Sequence, residues 1–157
     1  MPNVISDIVG VCVFRFMQNS PEYLLLQRGM SDELYPSIWQ IVTGTLNNGE
    51  TAVKAALREL EEETGLAPVH FWLVPHIAQF YDPDHDRVHQ IPFFAAQVEA
   101  GSDPSLSAEH QRFQWLSAQE ACARLVWPGQ RSALEVVHTH IVTGTESARL
   151  SRMDISA

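Results

Sequence analysis

Three glutamates, Glu59, Glu62 and Glu63, stand at i, i+3 and i+4 within GTLNNGETAVKAALRELEEETGL, residues 44–66. In a helix that spacing gathers side chains on one face, so three carboxylates are expected to share one patch. Like charges about 5.5 Å apart repel by roughly 0.8 kcal/mol per pair in water and by about 3 kcal/mol at an effective dielectric of 20. Arg58 can reach Glu62 at i+4, and Lys54 can reach Glu50, which offsets part of the repulsion. No positive side chain is comparably placed for both Glu59 and Glu63. Such a set of hard oxygen ligands suits magnesium or manganese, which keep several waters and bind through a few carboxylates together with substrate phosphates. The competing reading is a solvated acidic helix face. The glycine loop ahead of the helix favours the metal.

The helix itself is legible from a second pattern. Val53, Ala56, Leu57 and Leu60 repeat at i, i+3, i+4 and i+7, an apolar stripe able to face a core. The glutamate patch falls to one side of that stripe, along the core's edge, and Glu61 points to solvent. Thr51 or Asn48 can cap the start, and Gly65 suits a left-handed end.

Other elements must hold this helix and its loop in place. Residues 8–14, IVGVCVF, form a continuous β-branched run expected of a central strand, and residues 23–27 form its neighbour across a turn at 18–21. Further strands are expected at 71–80, 91–98 and 112–116, with Pro75 and Pro92 disturbing their ends. Helices are expected at 118–125 and 130–142. Strands, a helix, more strands and then helices predict an α/β fold with a mixed sheet between helical layers. Residues 1–146 read as a single domain and residues 147–157 as a flexible C-terminal tail.

Composition narrows the function classes. A chain of 157 residues, 45% hydrophobic and 18% charged, can bury one sizeable core. Its formal charge of −9 argues against a nucleic-acid partner, which needs clustered cations. Cys12 and Cys122 give neither a disulfide framework nor metal-ligand spacing, and read as buried thiols in a reducing compartment. No basic leader or membrane-length apolar run occurs, so a cytoplasmic protein without membrane partners is expected. A homo-oligomer is compatible with the sequence.

Gly44, Glu50, Arg58, Glu59, Leu60, Glu62, Glu63, Gly65 and Leu66 match the signature of the Nudix hydrolases at every defined position, and the chain resembles that family. The resemblance implies a Nudix-type α/β/α sandwich and hydrolysis of a pyrophosphate bond by water with a divalent metal. It makes Gly44, Glu59, Glu62 and Glu63 the metal-site candidates, Gly44 through its backbone. Arg58 would orient a glutamate, and Glu50 would act at the catalytic end. The proton acceptor is either a signature glutamate such as Glu62 or a carboxylate from a later loop. Glu109 is favoured for that loop role, with Glu99 as competitor.

Trp39 and Trp115 could stack on a base or serve as core aromatics. Arg28 and Gln40 could line the substrate mouth, or be a surface charge and strand-end packing. Asp82, Asp84 and Asp86 suggest a calcium loop, but Arg87 and Phe93 occupy the positions that need glycine and an acid, so a loop bordering the substrate is expected instead. His85, His89 and His110 read as surface or loop residues, His110 being notable beside Glu109. The segments SIWQIVTGT, SAEHQRFQWLSAQEA and RLVWPGQRSALE are similar to dihydroneopterin triphosphate and dATP-type pyrophosphohydrolases within the family. They imply a pterin or nucleoside triphosphate cut to the monophosphate and pyrophosphate. Dinucleoside polyphosphate hydrolysis is the alternative, and a nucleotide-binding sensor without catalysis is a third reading.

Overall fold

The computed structural model describes residues 1–156. In chain order the elements are β1 (Asn3–Ile5), β2 (Ile8–Met17), β3 (Ser20–Arg28), β4 (Trp39–Gln40), β5 (Val42–Thr45), α1 (Ala52–Thr64), β6 (His70–Asp82), β7 (Arg87–Gln97), β8 (His110–Leu116), α2 (Ala118–Arg124), α3 (Pro128–Val136), α4 (Glu146–Ser151) and β9 (Arg152–Met153). A π-helical segment, Val137–Val142, continues α3. The strands form one mixed sheet in the order β4-β3-β2-β7-β6-β9, with β1 on β7, β5 on β2 and β8 on β3.

Because strand side chains alternate, the apolar run of β2 serves two cores. Val9, Val11 and Val13 join Leu24, Leu26, Phe94 and Ala96 beneath α1, through Ala55, Ala56 and Leu60. Cys12 and Phe14 join Tyr23, Leu25, Phe93 and Ala95 on the opposite face, covered by α2, α3 and the π-helical segment. Each large side chain so buried contributes roughly 1.5–3 kcal/mol. This is the expected sheet between helical layers.

β2 runs parallel to β7, but its antiparallel partner changes along its length. Residues Ile8 to Val11 pair with β5, and Phe14 to Met17 pair with β3. Where the partner changes, the ends of β3, β4 and β5 open beside the flank of α1. The hairpin after β2 is tighter than expected: Gln18 and Asn19, with φ of 50° and 64°, form a two-residue turn, and Ser20 already pairs with Met17. The β6–β7 register shifts between Leu73 and Ile77, around Pro75, which has no N–H to give a ladder.

Within the stretch expected as a flexible tail at 147–157, residues up to Met153 take up α4 and β9, and residue 157 lies outside the described residues. Thr145 caps α4, accepting from the Ala148 amide, and Ala148 is buried in the α3-side core. Phe71 and Trp72 of β6 then pair with Met153 and Arg152. Ala148 and Met153 supply apolar anchors too sparse to register as a periodic pattern.

Candidate active site

α1 starts where expected: the Thr51 side chain accepts from the Lys54 amide, and Gly65 closes the helix at φ 67°. Along it, Glu59 and Glu63 look toward β5. Relative to Glu59, a residue at i+4 lies about 40° to one side and a residue at i+3 about 60° to the other, so Glu62 and Glu63 diverge by about 100°. Glu63 is buried, whereas the Glu62 side chain is 58% exposed. The expected three-carboxylate patch therefore divides into two inward groups and one outward group.

Arg58 organises the flank. Its Nε and Nη2 donate to the two carboxylate oxygens of Glu50 at 2.8 and 2.9 Å, and Nη1 donates to Glu59 at 2.7 Å and to Glu62 at 3.1 Å. Nη2 also reaches the Thr45 carbonyl at 2.9 Å, tying helix to strand. Glu50 is thus paired by Arg58 and not by Lys54 as expected, and Glu59 does have a cationic partner. The planar guanidinium offers several donors in fixed directions, which a lysine does not. The Arg58 fork, helped by the Asn47 amide, holds the Glu50 carboxyl down at about 2.

Gly44 lies against Glu59 so closely that a Cβ there would meet the glutamate Cδ at 2.0 Å. Glu63 accepts a backbone hydrogen bond from Thr43, but its Oε2 has no partner. Burial, then the neighbouring charges of Glu59 and Glu109, push the Glu63 carboxyl up to about 9. Burial raises Glu59 as well, against the pull of Arg58.

These groups line a cleft of about 350 Å³. Arg28 and Gln40, from β3 and β4, line its wall with Gly44, Arg58, Glu59 and Glu63, and Glu109 comes in from the loop before β8. The Glu109 carbonyl accepts from the Gly29 amide at 3.0 Å, which fixes that loop to the end of β3. Arg28 pairs with Asp32 at 2.5 Å and leaves its buried Nε without a partner. Gln40 is buried, its amide nitrogen 3.1 Å from His110 Nε2. Burial and then the Arg28 charge push His110 down to about 4, so its ring is neutral at pH 7.

Other candidates lie elsewhere. Trp39 sits beside Arg124 and Arg112, at 5.1 and 5.9 Å, and packs on the α3-side core. Trp115 carries Arg15 on its ring at 4.1 Å and donates its indole N–H to Asp103. Neither lines the cleft, and nor does Glu99, whose carbonyl closes a turn with Ser102. The loop at 83–86 is the turn joining β6 to β7 and does not line the cleft either. His89 is buried between Asp7 at 3.0 Å and Asp82 at 3.8 Å, and His110 is buried, so only His85 keeps the expected exposed setting. Thr43, Thr45 and Asn47 complete the lining. Nothing in their residue types distinguished them from ordinary strand-end and turn residues.

Among the described residues, no three carboxylate, histidine or cysteine side chains stand close enough to share an ion as placed. Two features nevertheless fit a hard divalent cation. Glu63 keeps an unpartnered buried oxygen beside two further carboxylates, and Gly44 leaves backbone open where any side chain would displace Glu59. No helix is long and apolar enough to cross a membrane.

The NUDIX domain family matches residues 7–137. Over 127 residues the chain is 35% identical to dihydroneopterin triphosphate diphosphatase of Haemophilus influenzae, covering 71% of this chain and 75% of that protein. It is 30% identical to the Escherichia coli protein of the same name over 140 residues, covering 81% and 89%. A 98-residue stretch is 36% identical to the octanoyltransferase of Myxococcus xanthus, but spans only 28% of that protein and 62% of this chain. The fold superposes on a Caenorhabditis elegans Ap4A hydrolase with a TM-score of 0.72 at 22% identity, covering 85% of this chain and 96% of that one. The chain belongs to the NUDIX domain family, and the family match together with its diphosphatase relatives makes it a Nudix hydrolase. Such enzymes generally need divalent metal ions.

Proposed function

We propose that the chain is a magnesium-dependent pyrophosphohydrolase that cuts dihydroneopterin triphosphate, dATP or a similar triphosphate to the monophosphate and pyrophosphate. The observation that carries this reading is the unpartnered Glu63 Oε2, buried beside Glu59 and Glu109 at the foot of a cleft walled by Arg28 and Gln40. Glu59 and Glu109 both repel a charge on Glu63, an arrangement unfavourable alone and favourable against a cation that also binds phosphate. The named diphosphatase relatives, matched over most of their length, favour a triphosphate substrate.

In this reading Glu59 and Glu63, with the Gly44 backbone, would hold magnesium, manganese being the alternative, and Glu62, turned outward to Arg58, would act through the water shell of the ion. When bound, the ion neutralises phosphate oxygens and lowers the pKa of water. Arg58 is a positioning residue: anchored by Glu50 and the Thr45 carbonyl, it fixes the Glu59 rotamer. Glu109 reaches the cleft from a solvent-facing loop and accepts the proton of the attacking water. Arg28, held by Asp32, aims its remaining donors at phosphate oxygens, where charge grows as the bond breaks. Gln40 donates to His110 and so keeps its carbonyl oxygen for the substrate. The working unit is one domain in the cytoplasm, with free thiols Cys12 and Cys122.

Dinucleoside polyphosphate hydrolysis is the second reading. The superposition on an Ap4A hydrolase and 28% identity to the mouse bis(5'-nucleosyl)-tetraphosphatase favour it. A panel assay with magnesium decides between them. Pyrophosphate release from dihydroneopterin triphosphate or dATP is expected at a kcat/KM well above that for Ap4A; the reverse order, or no magnesium-dependent release, would overturn the proposal.

A further inference from the structure

Tyr35 and Trp127 meet edge to face, ring centroids 4.9 Å apart at 74°. Both are exposed, to 48% and 37%. Exposed apolar side chains that meet in a patch, unlike those scattered singly, can form a contact surface, and each of these two is tied to the cleft wall. Asp32, the partner of cleft residue Arg28, accepts the Leu34 amide through its other oxygen, which sets the loop leading into Tyr35. The Trp127 carbonyl accepts from the Gln130 amide, and the buried Gln130 side chain accepts from the Ile41 amide, next to cleft residue Gln40. Tyr35 thus follows Asp32 by three residues and Trp127 precedes Gln130 by three, each of those two residues being bonded to the wall strands. The pair does not line the cleft itself but is linked, through Asp32 and Gln130, to the ends of β3 and β4 that wall it.

The backbone under Tyr35 is also constrained. Tyr35 and Ser37 both take left-handed conformations, with φ of 54° and 62°, costly for side chains other than glycine. Gln27 donates to the Ser37 carbonyl and Gln111 to its hydroxyl, holding the loop in that form. Strain of this kind persists where surrounding contacts over-determine it, and it clusters at ligand clamps.

We infer that Tyr35 and Trp127 form the stacking corner for the heteroaromatic ring of the substrate, pterin or purine, while its phosphates occupy the acidic cleft. The inference rests on the triphosphate reading above. An edge-to-face pair makes an L-shaped corner, in which a flat ring lies on one face and against the other edge. Trp39 and Trp115 are less suited, because arginines lie against both rings. Stacking is tolerant of ring identity, so this corner admits both pterin and purine, and hydrogen bonds elsewhere choose between them.

The test is kinetic. Tyr35→Ala and Trp127→Ala are expected to raise KM for dihydroneopterin triphosphate and dATP about tenfold each, in keeping with the loss of one stacking contact, with kcat changed less than twofold. Trp127→Phe restores most of the loss. The inhibition constant of inorganic tripolyphosphate, which has no ring, stays unchanged. Unaltered KM, or equal losses for tripolyphosphate, overturns the inference. If the wild-type protein cleaves no ring-bearing triphosphate, the activity reading fails separately, and the corner is then read from binding. Neopterin or deoxyadenosine should quench indole fluorescence in the wild type and lose that effect in Trp127→Phe; absence of quenching in the wild type overturns the inference.

Discussion

Gly44 and Glu59 occupy adjoining space so tightly that a single methyl group on the glycine would overlap the carboxylate carbon, at 2.0 Å. The strand backbone is therefore the surface on which the helix carboxylate rests. Gly44→Ala is expected to displace Glu59 and lower kcat by about a hundredfold, equivalent to about 2.7 kcal/mol of transition-state stabilisation. Steady-state kinetics with thermal melting will check this: loss of activity with a near-wild-type Tm is expected, and normal kcat would reject the contact.

The unequal settings of Glu62 and Glu63 predict unequal variants. Glu63→Gln is expected to lower magnesium-dependent turnover about a thousandfold, a loss of about 4 kcal/mol, and Glu62→Gln only about tenfold. Circular dichroism should remain native for both. Equal losses would mean that the outward placement of Glu62 does not persist in the working enzyme.

Arg58 gathers Glu50, Glu59 and the Thr45 carbonyl in one fork. Charge-assisted hydrogen bonds of this kind are worth about 1.5–3 kcal/mol when partly buried. Arg58→Ala is expected to cost about 2 kcal/mol in urea unfolding and to reduce kcat more than KM. Arg58→Lys should recover part of the stability and little of the activity, because an ammonium cannot hold both carboxylates in fixed directions.

Glu63 and Glu50 give opposite pH signatures. With Glu63 raised from the ordinary 4.5 to about 9, the metal-free folded chain keeps a proton that the unfolded chain has lost. Its contribution to stability is complete below pH 4.5 and is lost as pH rises toward 9. Glu50, lowered to about 2, contributes above 4.5 and loses its contribution as pH falls through about 2. Metal-free Tm should decline from pH 5 to 9, and Glu63→Gln should flatten that limb alone. Magnesium affinity should rise with pH across the same window, since the ligand must shed its proton; calorimetry at pH 6 and 8 will measure it.

Much of the local structure was written in the chain. The Val53–Leu60 stripe, the Thr51 cap and Gly65 define α1, because helix periodicity and capping depend only on residues within a few positions. The 8–14 run read as a doubly buried strand because every one of its side chains was apolar or small. The spacing of Arg58, Glu59 and Glu63 likewise marked one side of the cleft, and Arg28, Gln40 and Glu109 were legible as candidates for the other.

What the sequence could not decide was partnership between distant residues. It offered Lys54 for Glu50, where the loop entering α1 brings Glu50 against Arg58 and the Asn47 amide. It presented Trp39 and Trp115 as stackers, but arginines from other strands and helices lie against both rings. It left His89 and His110 at the surface, although Asp7, Asp82 and Gln40 come from elsewhere in the chain to meet them. Helical and strand patterns follow from short-range geometry, whereas burial and pairing follow from which surfaces the whole sheet brings together. The spacing of the helix carboxylates is local information; the cleft they line is made only by the fold.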